Sequence, residues 1–315
     1  LLGGKTSCHT GWLDSVGMMM PMGFLLGLGY ANIVGDPNDI ESLRTTIHSF
    51  FNENSSIPES GSPYYGFSGA LKCLSEGTGD VAFVKDTTVD AICGDDLSSR
   101  ENWCLERTEY VPLTSFGKSP SSALMYNPEY LDHSIAQDIA ATLASMSEDP
   151  DSSTLLLNTL NSPGIVATNS QDHLGGYSAI VVNIPGMQSY FTENDEDSPR
   201  PNLSLIRVAF GPEQMEIQDS YFDNLENYLQ NSLEVDIEIL RFESNLAILE
   251  NLSSGNVEFA FIGGMAAWSG WKQHNLSVMA AVQNQDERIY SYSQAWVRSG
   301  SEIANAQLDD DPLTD

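Results

Sequence analysis

The chain has 315 residues, 41% of them apolar and 9% aromatic, enough to bury a sizeable core in two domains or one bilobal unit. Its 44 acidic residues against 13 basic ones give a formal charge of −31. Such a surface attracts cations and repels nucleic acid and anionic membrane. No apolar run reaches the roughly 18 residues that a membrane-spanning helix needs, and no G-x-S-x-G, P-loop or H-E-x-x-H motif marks an enzyme. No signal peptide is evident and the chain starts abruptly at Leu1, as expected of a mature or excised piece.

In chain order, Gly4 to Thr10 is strand-like and turns at Gly11. A helix is expected from Asp14 through Met18, Met19 and Met20 to Pro21, its methionines filling core gaps rather than holding a soft metal. Asp39 to Phe51 carries apolar residues at helical spacing, and Asn52 to Pro63 is a polar loop. The stretch from Ser62 to Val89 organises the rest. Tyr64 to Gly69 is a glycine-rich turn with Ser68 as the expected N-cap, Ala70 to Ser75 a short helix, and Asp80 to Lys85 a strand apolar on both faces. A turn between such elements is where α/β domains hold ligands.

Further on, a strand is expected near Ser122 to Tyr126, helices over 129–147 and 153–160, and a strand over Ala179 to Ile184. Residues 192–202 read as an acidic, proline-bearing linker that divides the chain into 1–191 and 203–315. The last part reads as strands at 203–210, 235–242 and 257–262, with helices at 215–232 and 246–252 between them. This β-α-β-α-β order specifies a parallel sheet. A last strand follows at 289–298. Four cysteines suggest two local bridges, and the sequons at Asn54, Asn202, Asn251 and Asn275 point to an extracellular or cell-surface glycoprotein.

The run Tyr65-Gly-Phe-Ser-Gly-Ala-Leu-Lys-Cys-Leu74, followed by Gly79-Asp-Val-Ala-Phe-Val-Lys-Asp-Thr-Thr-Val89, resembles the second subdomain of a transferrin lobe. Lys5-Thr-Ser-Cys-His-Thr-Gly11 resembles the opening motif of that subdomain. The sequence from 203 onward resembles the start of a lobe and 175–191 its end, so the chain resembles one lobe cut at its middle. A circular permutation or one period of tandem lobes would both give this order. The resemblance implies an α/β fold of two three-layer subdomains with mixed, mostly parallel sheets and a cleft, as in periplasmic binding proteins. It also pairs Cys8 with Cys73 and Cys93 with Cys104.

Lobes of this family hold Fe(III) with one Asp, two Tyr and one His, and seat a carbonate at a helix N-terminus with Thr and Arg. Hard oxygen donors suit the cation and helix amides suit the anion. Carried over residue by residue, the resemblance keeps Thr10 and Gly11 of the anion motif but puts Asp14 where the Arg belongs. Phe67 falls on one ligand Tyr and Ser291 on the other, Gly263 on the Asp and Ser122 on the His. Tyr64, Tyr65, Tyr290, Tyr292 and Asp14 remain as an alternative oxygen-donor set. The expectation is no resident cofactor, with Fe(III)–carbonate disfavoured, and a structural or interaction module among other transferrin-like lobes or copies of itself. Cation capture through non-family ligands and small-solute binding are the alternatives.

Overall fold

The computed structural model describes residues 1–95, 100–190 and 204–309. The chain opens with β1 (Ser7–Cys8), a π turn (Ser15–Met19) that runs into α1 (Met20–Gly27), α2 (Ser42–Phe50), α3 (Gly66–Ser75), β2 (Val81–Lys85), α4 (Thr88–Cys93) and β3 (Tyr110–Pro120). It continues through β4 (Ala123–Tyr126), α5 (His133–Ser145), α6 (Pro150–Leu160), β5 (Ile165–Ala167) and α7 (Ser170–Val181). Then come β6 (Leu205–Phe210), α8 (Asp219–Leu233), β7 (Asp236–Arg241), α9 (Asn245–Ser253) and β8 (Phe259–Ile262). The last elements are α10 (Gly264–Gln273), β9 (Ser277–Val282), β10 (Tyr290–Arg298) and α11 (Glu302–Asp309).

Two compact units result: residues 1–119, 179–190 and 291–315 form the first, and residues 120–178 and 191–290 the second. The expected linker at 192–202 lies outside the described residues. The expected blocks 1–191 and 203–315 are not the units. β4 pairs with β8 and β9, which draws residues 120–178 into the second unit, and β10 pairs with β2, which returns residues 291–315 to the first. Pairings this remote in sequence leave no local signal.

The first unit's sheet has the order β1-β2-β10-β3, and the second unit's β5-β9-β4-β8-β6-β7. Both are mixed, as expected, but the parallel share is smaller than expected. β1–β2, β6–β7 and β6–β8 are parallel, whereas β2–β10, β4–β8, β4–β9 and β5–β9 are antiparallel. Crossover helices α8 and α9 make the β7-β6-β8 part parallel. β4 then inserts between β8 and β9 and runs against both.

Each sheet is covered on two faces. In the first unit, Ala82 and Val84 of β2 pack with Ala70, Leu71, Cys73 and Leu74 of α3. On the alternate positions Phe83 meets His9, Phe51 and Phe116. In the second unit, Val208, Phe210, Phe259 and Phe261 pack with α5, α6 and α8, while Gly270 of α10 lets Leu249, Leu276 and Met125 close in. Arg207 and the fully buried Glu258 carboxylate lock the start of β6 to that of β8, with Nη2–Oε1 2.8 Å and Nε–Oε2 3.2 Å.

Three local expectations are corrected. Residues 179–184 are the end of α7 and a turn, because Leu174, Tyr177, Ser178 and Val181 bury at helical spacing. The β-branched run there lacks a strand partner. Ser68 is inside α3 rather than its cap; Gly66, at φ 76°, turns the chain in, and its N–H donates to the Thr10 carbonyl at 2.7 Å. The first helix does not stop at Pro21. Pro21 has no N–H for the carbonyl four or five residues back, and other donors take those carbonyls. His9 Nδ1 donates to Gly17 O at 2.7 Å, and Ser293 Oγ donates to Val16 O at 2.7 Å. Met18, Met19, Met20 and Met22 are fully buried, in line with core filling.

The disulfides are Cys8–Cys73 and Cys93–Cys104. They span 65 and 11 residues, so loop entropy assigns about 4 kcal/mol to the first and about 3 kcal/mol to the second. Denaturant unfolding should therefore find the Cys8→Ala/Cys73→Ala double variant the less stable of the two reduced pairs.

His9 is fully buried and neutral: its Nδ1 is committed to Gly17, its Nε2 accepts from Ser7 Oγ at 3.0 Å, and burial pushes its pKa down to about 4. Above pH 6.5 both folded and unfolded chains carry it uncharged. Below that the unfolded chain takes the proton first, so stability falls between pH 6.5 and 4, by on the order of 3 kcal/mol. His173, also pushed down by burial, acts in the same direction. Unfolding midpoints across that range should drop, and His9→Gln should flatten the slope while lowering the plateau.

Candidate functional site

The positions that the transferrin resemblance singles out gather at two places, one in each unit. In the first unit, the β1 strand leads straight into Thr10 and Gly11, which pack on the turn that starts α3. Thr10 accepts the Gly66 N–H through its carbonyl, and a Cβ on Gly11 would strike the Tyr65 ring. Asp14 caps the following helix, its Oδ1 accepting the Gly17 N–H at 2.7 Å. Thr10 is buried at 2% exposure, and its Oγ1 is without a hydrogen-bond partner among the described residues. Gly17 is packed so closely on the Thr10 side chain that a Cβ there would overlap the hydroxyl.

Phe67, at the start of α3, holds the Lys85 ammonium over its ring, 4.8 Å from the centroid. Lys85 ends β2, and the next residue, Asp86, accepts the Tyr292 N–H at 3.2 Å. Lys118 stands 5.8 Å from the centroid of the Tyr292 ring. Two of the chain's 13 basic residues are thus spent over these two rings, each contact contributing ~0.5–1 kcal/mol. Neither lysine was legible as a site residue; the only signal was that Lys85 closes a strand facing the α3 turn.

The alternative oxygen donors are engaged separately. Tyr64 donates to Glu76 Oε2 at 3.0 Å and lies 3.1 Å from Thr78 Oγ1. Tyr290 faces the Arg288 guanidinium at 5.5 Å, and Ser291 is buried in β10. Among the described residues, no group of three or more His, Cys, Asp or Glu side chains is placed to hold a metal ion.

In the second unit, Ser122 and Gly263 line one crevice of about 40 Å³ together with Gly211, Gln214, Asn245 and Val282. The crevice lies past the carboxyl ends of β6 and β8, where open α/β sheets bind ligands, and beside the starts of α9 and α10. Ser244 caps α9 through Ala247 N–H at 3.2 Å, whereas the α10 cap is Gly263, which offers no side chain. A Cβ on Gly263 would meet nothing within 4 Å. The space for a side chain is present and the side chain is not. Gly211, Gln214 and Asn245 were missed from the sequence, although all three follow strand ends.

A phenyl ring has no donor for a hard cation and here carries an ammonium, and a carboxylate stands where the anion motif needs a guanidinium.

Parts of the chain are similar to known proteins. The Transferrin family model matches residues 52–109. A model for the periplasmic substrate-binding protein of a phosphonate ABC transporter matches residues 212–311. Ovotransferrin of Gallus gallus is 36% identical over 125 residues, 33% of this chain and 17% of that protein. Serotransferrin of Paralichthys olivaceus is 30% identical over 166 residues, 45% of this chain and 23% of that protein. These matches span about a fifth of each relative's length. A solved glycine betaine/carnitine/choline ABC transporter superposes with TM-score 0.41 and 10% identity, covering 96% of this chain and 81% of that one. No helix among the described residues is long and apolar enough to cross a membrane. The chain is thus similar to transferrins over part of its length, in a mixed α/β fold of two units.

Proposed function

We propose that the chain is a secreted transferrin-like lobe that has given up Fe(III)–carbonate capture. It serves as an interaction module in a larger extracellular assembly of similar lobes or of its own copies. One observation carries the reading: in the first unit the protein's own charges stand on the ligand positions. Asp14 holds the helix amide, and Lys85 covers the Phe67 ring. A resident ammonium repels a trivalent cation, and a resident carboxylate repels carbonate. The −31 charge draws cations to the surface at large, which is separate from a chelating site.

Small-solute binding is a second reading, favoured by the crevice of the second unit. The matched substrate-binding model covers its Gln214, Asn245 and Gly263.

Titration with ferric citrate in bicarbonate buffer should give no tyrosinate-to-iron absorption band. A tight, bicarbonate-dependent band that Tyr292→Phe abolishes would overturn the proposal and restore iron capture.

Secretion has its own test. Asn54 and Asn275 are exposed, Asn275 on a left-handed turn at φ 54°. Asn251 is half-buried within α9, where its Nδ2 donates to Ala247 O at 2.7 Å, and Asn202 lies outside the described residues. Glycopeptide mapping of protein from a secreting host should find glycans at Asn54 and Asn275 and none at Asn251. Bare asparagines at both exposed sites would count against a secretory route.

A further inference from the structure

We propose that Glu226 and Gln230 of α8 guard the free edge of β7, and that without them this edge pairs, backbone to backbone, with the same edge of a second copy of the chain. Nothing in this depends on the function proposed above. β7 ends the second unit's sheet, so the N–H and C=O groups of its alternate residues point away from β6 and meet no strand among the described residues. Donors and acceptors alternate along such an edge, which makes it self-complementary, and the same edge on another copy is a ready partner.

The other three sheet edges are blunted by their own residues. β5 is three residues long. β1 is two residues long, and its outer side is taken by the chain at Ser56, whose N–H donates to Ser7 O at 2.7 Å and whose carbonyl accepts the His9 N–H at 3.0 Å. β3 carries Pro112, Lys118 and Pro120, with Gly117 at φ 118°. Proline, lysine, a kink and a short strand all oppose edge pairing. β7, Asp236-Ile-Glu-Ile-Leu-Arg241, has six residues and contains no proline, glycine or lysine. The exposed Asp236 and Glu238 set like charges against a second copy, a repulsion that salt screens.

The remaining protection comes from α8. Its buried stripe is Phe222, Leu225 and Leu229, and Glu226 and Gln230 each follow a buried leucine, four residues apart on one flank. The Ile239 N–H donates to Glu226 Oε2 at 3.2 Å, and Gln230 Nε2 donates to Ile237 O at 3.2 Å. Both are groups that an added strand would have to bond. Arg241 fastens the end of β7, its Nη1 donating to Ile217 O at 2.9 Å and its guanidinium pairing with Asp219. Single bonds of this kind add little to stability. What they remove is a template for a second chain.

The test compares wild type with Glu226→Ala, Gln230→Ala and the double variant by sedimentation velocity over a range of protein concentrations, in salt high enough to screen the −31 charge. The double variant should associate at a concentration at least about tenfold below wild type, with each single variant between. Glu226→Gln, whose side-chain carbonyl still accepts, should sediment as wild type. Adding Ile239→Pro to the double variant should abolish the association, because proline deletes the edge N–H and is tolerated where that N–H points out of the sheet. If the double variant does not fold by circular dichroism, the single variants carry the same comparison. Folded variants that sediment as wild type at every concentration would overturn the proposal, and so would association that Ile239→Pro leaves intact. Loss of the fold in both single variants would also overturn it, since a guard lies outside the core.

Discussion

The backbone of Gly17 is held from both sides, its N–H by the Asp14 carboxylate and its carbonyl by the buried His9 ring. The ring comes from the three-residue run Cys8-His9-Thr10, and this run places much of the first unit. Cys8 is bonded to Cys73 of α3, the Thr10 carbonyl takes the first amide of α3, and His9 stacks on Phe83 of β2 at 5.1 Å. Helix, strand and turn therefore meet at one buried, uncharged imidazole. Protonating that ring would put a charge into a fully buried, apolar surrounding, so this unit loses stability in acid.

The same grip explains how a proline sits inside the first helix. Pro21 leaves the carbonyls of Val16 and Gly17 without their helical donors, and Ser293 and His9 supply substitutes from two other elements. The π turn, the proline and the Asp14 cap are one arrangement, and the site at Thr10 and Asp14 inherits its rigidity.

Much of this was legible in the residues. The order of elements in the α3–β2 stretch and in the β6-α8-β7-α9-β8 run was legible, because helical and strand periodicities are local signals, although α3 starts at Gly66, four residues before the expected Ala70. The disulfide pairing followed from the transferrin resemblance. What failed was non-local. β4 pairs with β8 and β9, and β10 with β2, each more than a hundred residues away in sequence, so the units could not be cut correctly from chain order. The β-branched run at 179–184 looked like a strand and is the end of α7, its burial decided by Leu174 and Tyr177 upstream. At the site, Phe67 and Asp14 were visible as residue types, whereas the Lys85 ammonium over Phe67 and the unpartnered Thr10 hydroxyl exist only once the elements are packed.

The central claim is that internal charges have displaced the metal and its anion, leaving a binding-protein fold without iron chemistry. Its most direct test is the metal content of protein purified under native conditions, read by mass spectrometry against protein concentration before and after dialysis against a strong chelator. The account predicts iron far below one atom per chain before dialysis and no change in circular dichroism after it. About one iron per chain that survives the chelator would contradict it.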